Sequence, residues 1–333
     1  MHAPTVSIYF VNAALASLRE QPETFLRLIE QNHIPKELLK NDSARVPGVD
    51  FSNLLRDIML ETKDEQMGLG PSPLPLGSWA TLAQLSIAAN NLGEAIRRLA
   101  RFYRLLPLGI DTRLDVSGDV ASFKMIKTAD HPFPDYVFES FLFYVSRFSN
   151  WLINKLIPLI SVDFCFSETP HRSEYRNLFI TSNVNFNCEC SQFNFPRRYL
   201  NEPIRQDNYS LAKFLEHSNL SMVAQRTQHK NWRTKVQQQL ILKLDQNPSV
   251  NDIAQNLGVH PHTLRSHLRR EGVQFKDIKD QLRCEIAIDL LRKQGCSVAE
   301  TAIKIGFSET SAFTRAFKKW MGVTPIMYKQ FNN

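Results

Sequence analysis

The feature that most constrains this chain is a repeat near its C-terminus. The segment Val250-Asn251-Asp252-Ile253-Ala254-Gln255-Asn256-Leu257-Gly258-Val259 returns 48 residues later as Val298-Ala299-Glu300-Thr301-Ala302-Ile303-Lys304-Ile305-Gly306-Phe307. Each copy follows a serine, Ser249 or Ser297, with an acid three positions on, Asp252 or Glu300. That spacing starts a helix, because the serine oxygen and the acid satisfy amides that the first turn leaves unpaired. Each copy ends in glycine and an apolar residue, and a second helical pattern follows. Helix, sharp turn and crossing helix make a helix-turn-helix. Ala254 and Ala302 let the crossing helix come close, Gly258 and Gly306 permit a positive φ, and Val259 and Phe307 plug the space between the helices.

The second helix of each unit decides what the repeat can do. The first is expected from about Pro261 to Arg270, with Leu264 and Leu268 inward and His262, Arg265, Ser266 and Arg269 on another face. The second is expected from about Glu309 to Trp320, with Phe313, Phe317 and Trp320 inward. Its outward residues are Ser311, Arg315 and Lys318, flanked by Thr310 and Thr314. Long donors beside short hydroxyls suit a helix in the DNA major groove, where arginine reaches guanine O6 and N7 together. Between the units, Phe275 to Lys293 reads as one long helix with Ile278, Leu282, Ile286, Ala287, Leu290 and Leu291 on a stripe. Its span is about 28 Å at a rise of roughly 1.5 Å per residue. Major-groove faces on one side of B-DNA recur about every 34 Å. One chain can then read two half-sites, with a bent duplex or shallow insertion making up the difference.

Charge points the same way. Of the whole chain's net +7, all sits from Asn231 onward, where 16 Lys and Arg face 9 Asp and Glu. A basic segment joined to a neutral one indicates a polyanion-binding module on a domain with another task. The polar stretch Gln225 to Asn231 marks the join. The expected division is an effector-sensing or dimerisation domain over 1–220, a linker over 221–231 and a DNA-binding domain over 232–333.

The first part mixes periods. Pro22 to Ile29 and Phe51 to Met59 read as short helices. Ala80 to Leu106 reads as two helices broken at Asn91 and Gly93, and Phe138 to Leu156 as a long apolar one that could serve a homodimer. Asp111 to Ile126 alternates about a Ser117-Gly118-Asp119 turn, a hairpin. Val162 to Phe166 and Val184 to Phe186 read as strands. The fold class is an α+β N-terminal domain, antiparallel sheet with helices, joined to an all-α C-terminal domain with two helix-turn-helix units.

Val236 to Phe331 resembles the AraC/XylS family of bacterial transcription regulators. The resemblance rests on Ile253-Ala254, Leu257-Gly258-Val259, Leu264, Leu268-Arg269, Arg283, Ala287 and Leu290-Leu291. It continues through Ala302, Ile305-Gly306-Phe307, Phe313, Arg315, Phe317-Lys318, Gly322, Pro325 and Tyr328. It implies a seven-helix DNA-binding domain whose base-facing residues are His262, Arg265 and Ser266 in one head and Thr310, Ser311 and Arg315 in the other. Arg269, Thr314 and Lys318 are expected on phosphates. His260 stands where that family often has Ser or Thr opening the first reading helix. The first part is similar to the arabinose-binding-like sensing domain of one branch of the family, through Arg45-Val46-Pro47, Gly68-Leu69-Gly70, Leu92-Gly93-Glu94-Ala95, Val184-Asn185-Phe186 and Phe195-Pro196. Arabinose itself is not implied.

An effector pocket is expected from Trp79, Phe102, Tyr103, Phe123, Tyr136 and Phe138, with Arg101, Arg104 or His131 holding an anionic head group. The expected effector is a small amphipathic acid or catabolic metabolite, since pockets combine apolar walls with few polar groups. The expected partners are double-stranded operator DNA, that effector, RNA polymerase and a second copy of the chain, in the cytoplasm and on the nucleoid when DNA-bound. No apolar run reaches the 18 or so residues a membrane helix needs, and the N-terminus lacks a secretory pattern. Five scattered cysteines read as reduced thiols rather than a disulfide framework. No cofactor is expected. Cys188, Cys190 and His171 fall short of a metal site. Without H-E-x-x-H, G-x-S-x-G or a phosphate-binding glycine loop, no enzymatic role is expected. Two other readings stay open: a DNA-repair alkyl acceptor fused to a DNA-binding domain, and a constitutive dimeric DNA-binding protein.

Overall fold

A computed structural model describes residues 5–181, 183–216, 232–271, 273–292 and 294–331 of the 333-residue chain. The linker expected over 221–231 lies outside the described residues. The chain divides into two compact units. One takes in 13–22 and the described part of 52–227; the other combines 5–12, 23–51 and the described residues from 232 onward.

In the first unit the expected hairpin forms β3 (Ile110–Ser117) and β4 (Val120–Lys127), paired antiparallel with Ser117 opposite Val120. Gly118 turns it with φ 55°. β4 then pairs antiparallel with β7 (Ser191–Pro196), a strand the sequence pattern does not announce. β7 pairs antiparallel with β5 (Ser161–Asp163), and β5 pairs parallel with β6 (Val184–Asn185). The five-stranded order is β3-β4-β7-β5-β6. The expected all-antiparallel sheet is thus mixed, because α7 (Arg172–Phe179) carries the chain across between β5 and β6.

The inward residues of the two long central strands are Ala121, Phe123 and Met125 on β4 and Phe193 and Phe195 on β7, all buried. α6 (Asp135–Ile153) packs against β7 and is itself largely buried. Its apolar length is core, which corrects the expectation that it serves a dimer. α4 (Ser78–Ile87) and α5 (Leu92–Arg104) form the broken pair, and Asn91 caps α5 by accepting from the Glu94 N–H at 2.9 Å.

The second unit holds seven α-helices from Trp232 onward among the described residues. It also holds β1 (Thr5–Ser7) paired antiparallel with β2 (Arg45–Pro47), and α2 (Pro22–Gln31), most of which lies in this unit. This differs from the division expected at residue 220. The reason is specific pairing. The Asp50 carboxylate, only 5% exposed, holds Arg292 at 2.5 Å, and the Asn41 side-chain amide donates to the Gly322 carbonyl at 2.9 Å. Asp50 lies in the first turn of α3 (Gly48–Thr62).

Candidate nucleic-acid interface and effector cavity

Each reading helix is held by a supporting helix that the sequence caps. Ser249 opens Val250–Asn256 and Ser297 opens Val298–Lys304, each with a complete capping box, Ser249 with Asp252 and Ser297 with Glu300. The turns pass through Gly258 at φ 67° and Gly306 at φ 79°. Val259 and Phe307 follow, both half-buried.

The first reading helix is Pro261–Arg270. His260 caps it, its ring Nδ1 accepting from the His262 N–H at 3.3 Å, so histidine does here what a hydroxyl would do. Leu264 and Leu268 are buried. His262, Arg265 and Arg269 are exposed and Ser266 is half-buried beside them. At about 100° per residue these four fall within roughly a third of the helix circumference, opposite the leucines. The second reading helix is Thr310–Met321, with Phe313, Phe317 and Met321 buried. Thr310, Ser311, Arg315 and Lys318 are exposed and Thr314 is half-buried. The Ser311 hydroxyl donates to Glu309 Oε2 at 3.0 Å, and the Thr314 hydroxyl to the Thr310 carbonyl at 2.9 Å. Among the described residues, Arg265, Arg269, Arg315 and Lys318 have no ion-pair partner, which leaves their charge for a polyanion, and His262 is exposed on the same face as Arg265.

A strut, Phe275–Arg292, joins the two heads; its 18 residues span about 27 Å at roughly 1.5 Å each. Its most informative residue is Arg283, which is buried. Nε donates to the Ile305 carbonyl at 2.9 Å, and an η nitrogen to the Gly306 carbonyl at 2.8 Å and to Asn247 Oδ1 at 2.9 Å. The guanidinium also lies 4.4 Å from the centre of the Phe307 ring. Lys279 donates to Asn247 Oδ1 at 2.5 Å and to the Pro248 carbonyl at 2.7 Å. Burial, and secondarily Arg283, pulls the Lys279 ammonium down to about 8. These two cations fasten the strut to the turn of the second head and to the chain entering the first. The sequence pattern gives neither a positioning role. The available signal was two cations, Lys279 and Arg283, interleaved with the apolar residues Ile278 and Leu282.

The other unit contains a cavity of about 270 Å³. Leu55 and Met59 of α3, Trp79 of α4, Tyr103 of α5, and Tyr136, Phe141 and Tyr144 of α6 line it. Glu65 and Gln66 close it from the loop after α3. Of the expected pocket residues, Trp79, Tyr103 and Tyr136 come together here; Arg101, Phe102, Phe123, His131 and Phe138 are not in the lining. The physical reasons differ. Phe123 and Phe138 are spent in the core, Arg101 and Arg104 turn to solvent, and His131 packs edge-on against Phe133 at 4.7 Å. Glu65 and Gln66 were missed because an acid and an amide in a loop carry no periodic signal.

Burial pushes the thiols of Cys188, Cys190 and Cys284 up, away from the thiolate an alkyl acceptor would need. Among the described residues no group of three or more His, Cys, Asp or Glu side chains could hold a metal ion. No helix among them is long and apolar enough to cross a membrane.

Paired reading helices on a strut in one unit, and an apolar-walled cavity in the other, are the features of a ligand-responsive DNA-binding protein. The model for the arabinose-binding domain of AraC transcription regulators, N-terminal, matches residues 24–204, more than half of the chain, and a helix-turn-helix domain model matches 253–330. The chain belongs to the AraC family of transcription regulators. It is a DNA-binding regulator with an N-terminal effector-sensing domain. It is similar to the ornithine utilization regulator of Pseudomonas aeruginosa, 22% identical over 330 residues, 98% of this chain and 97% of the relative. It is similar to the regulator VirS of Mycobacterium tuberculosis, 34% identical over 83 residues, 25% of this chain and 24% of that one. The crystal structure of the regulator CdpR from Pseudomonas aeruginosa aligns over 97% of both chains at 20% identity, with a TM-score of 0.34.

Proposed function

We propose that the two reading helices enter successive major grooves of one operator. His262, Arg265 and Ser266 touch base edges in one half-site, and Thr310, Ser311 and Arg315 in the next. Arg269, Thr314 and Lys318 hold phosphates. The observation that carries this reading is the pair of exposed, uncompensated donor faces set behind buried Leu264, Leu268, Phe313 and Phe317. Ser311 gives up its bond to Glu309 when it turns to a base. Phosphate contacts supply affinity that falls steeply with salt, and base contacts supply sequence choice.

The 270 Å³ cavity is the effector site. It lies just below the usual lower bound of about 300 Å³ for ligand pockets, so the effector is a small amphipathic metabolite. The effector acts by binding one conformation of the regulator more tightly than another. RNA polymerase and a second copy of the chain are the protein partners, in the cytoplasm and on the nucleoid.

The test is binding of wild type and Arg265→Ala to cognate and random duplexes over a range of salt. Arg265→Ala should cost about 1–3 kcal/mol on cognate DNA and much less on random DNA. Equal losses on both would make Arg265 a phosphate contact only.

A further inference from the structure

We propose that the effector cavity is built for a small organic ammonium, with the Glu65 carboxylate as its counter-ion. The proposal rests on reading that cavity as the effector site and adds the chemistry of the ligand.

The loop that brings Glu65 to the cavity is fixed by its neighbour. The buried Asp64 carboxylate accepts from the N–H groups of Gln66 at 2.8 Å, Gly68 at 2.8 Å and Leu74 at 2.7 Å. The Glu65 N–H donates to the Leu74 carbonyl at 2.8 Å. Glu65 is thereby set in the cavity wall. Its carboxylate accepts from the Gly77 N–H at 2.7 Å and the Trp79 N–H at 2.8 Å. These bonds fix its direction and leave acceptor capacity on both oxygens. Among the described residues no cationic side chain pairs with it. Burial pushes its carboxyl above the usual carboxylate range, against the pull of the two N–H donors. A half-buried carboxylate facing apolar walls without a counter-ion is the arrangement that a bound cation relieves.

Two further observations agree. The Gln66 side-chain oxygen is buried with no hydrogen-bond partner among the described residues, an unsatisfied acceptor in the residue next to Glu65 in the same wall. Trp79, Tyr103, Phe141 and Tyr144 are in the lining, and aromatic rings attract ammonium groups. The cation in the lining, Arg56, does not compete for Glu65. Its side chain is 61% exposed, and its Nε and one η nitrogen both donate to Asp57 Oδ1, at 3.1 and 3.0 Å. A carboxylate ligand would set its charge against Glu65. The 270 Å³ volume holds about nine water-sized groups at roughly 30 Å³ each, which fits an amine on a short apolar or aromatic tail.

The experiment is calorimetric titration of the full-length protein at pH 7 with phenethylamine and with 3-phenylpropionate. They share an aryl tail and carry opposite charges. The amine should bind the wild type on the order of ten- to a hundred-fold more tightly than the acid, the scale of one charge-assisted hydrogen bond. Glu65→Gln should erase the difference. Glu65→Asp, which keeps the charge, should keep the preference at reduced affinity. Ser140→Leu, which fills the cavity from α6, should abolish binding of both. If the acid binds as tightly as the amine and Ser140→Leu abolishes binding, the effector site stands and the ammonium inference falls. If Glu65→Gln folds and still prefers the amine, the inference falls as well. If neither compound binds, or Ser140→Leu changes nothing, the cavity is not the effector site and both readings fall.

Discussion

Replacing Arg283 by methionine isolates how the strut holds the second reading head. Methionine keeps most of the buried length and removes every donor. The Ile305 and Gly306 carbonyls, accepting at 2.9 and 2.8 Å, are buried in the turn between the supporting and reading helices. Each buried carbonyl left without a donor costs about 1–3 kcal/mol. Part of that is returned, because burial already lowers the guanidinium's pKa, a sign that the native state carries a desolvation cost. The Asn247 contact and the stacking on Phe307 are lost too. The net expectation is about 2–4 kcal/mol against the closed turn, or roughly thirty- to several-hundred-fold more opening. Hydrogen exchange of the backbone amides from Ile305 to Phe313 reads that opening directly. An acceleration below about threefold, corresponding to less than roughly 0.7 kcal/mol, would refute the idea that Arg283 fastens this turn.

The two turn glycines should respond differently to alanine. Gly258→Ala meets open space and pays only for positive φ, about 1–2 kcal/mol. Gly306→Ala also drives a methyl into the Leu244 carbonyl, so its loss of thermal stability should be clearly larger; equal losses would contradict the packing described. Asp50→Asn leaves Arg292 without its carboxylate. Because Arg292 is 18% exposed, the cost should sit at or just below the low end of about 3–5 kcal/mol, and a change under about 0.5 kcal/mol would show that the pair is solvent-screened. Arg269→Ala and Lys318→Ala should each lower the slope of log affinity against log salt by about 1 on any duplex sequence; an unchanged slope would remove them from the phosphate contacts.

The C-terminal helices were readable because their signals are local. A serine, an acid three residues later and a glycine at the turn all act within one or two helical turns, so Ser249, Asp252, Gly258 and their counterparts mark elements without any tertiary knowledge. The hairpin over Ile110–Lys127 was readable for the same reason. What was not readable depends on distant partners. β7 is a central strand, yet its Ser191-Gln192-Phe193-Asn194-Phe195-Pro196 is short, follows a Cys-Glu-Cys stretch and ends in proline. The parallel pairing of β5 with β6 is a matter of topology, which two short apolar runs do not specify. The pairing of Asp50 with Arg292 joins residues far apart in the chain, and nothing local to either announces it. Aromatic residues were readable as candidates for a cavity, but whether a ring lines it or fills the core depends on register. Tyr103 does the first and Phe123 the second.

The most direct test of the two-headed reading is base-resolved footprinting on an operator taken from genome-wide mapping of bound sites. It compares wild type with Arg265→Ala and Arg315→Ala at matched occupancy. The account predicts that each substitution exposes guanines in a different half-site, about one helical turn apart, and leaves the other half-site protected. Loss of the same bases by both variants, or full protection in both, would contradict it.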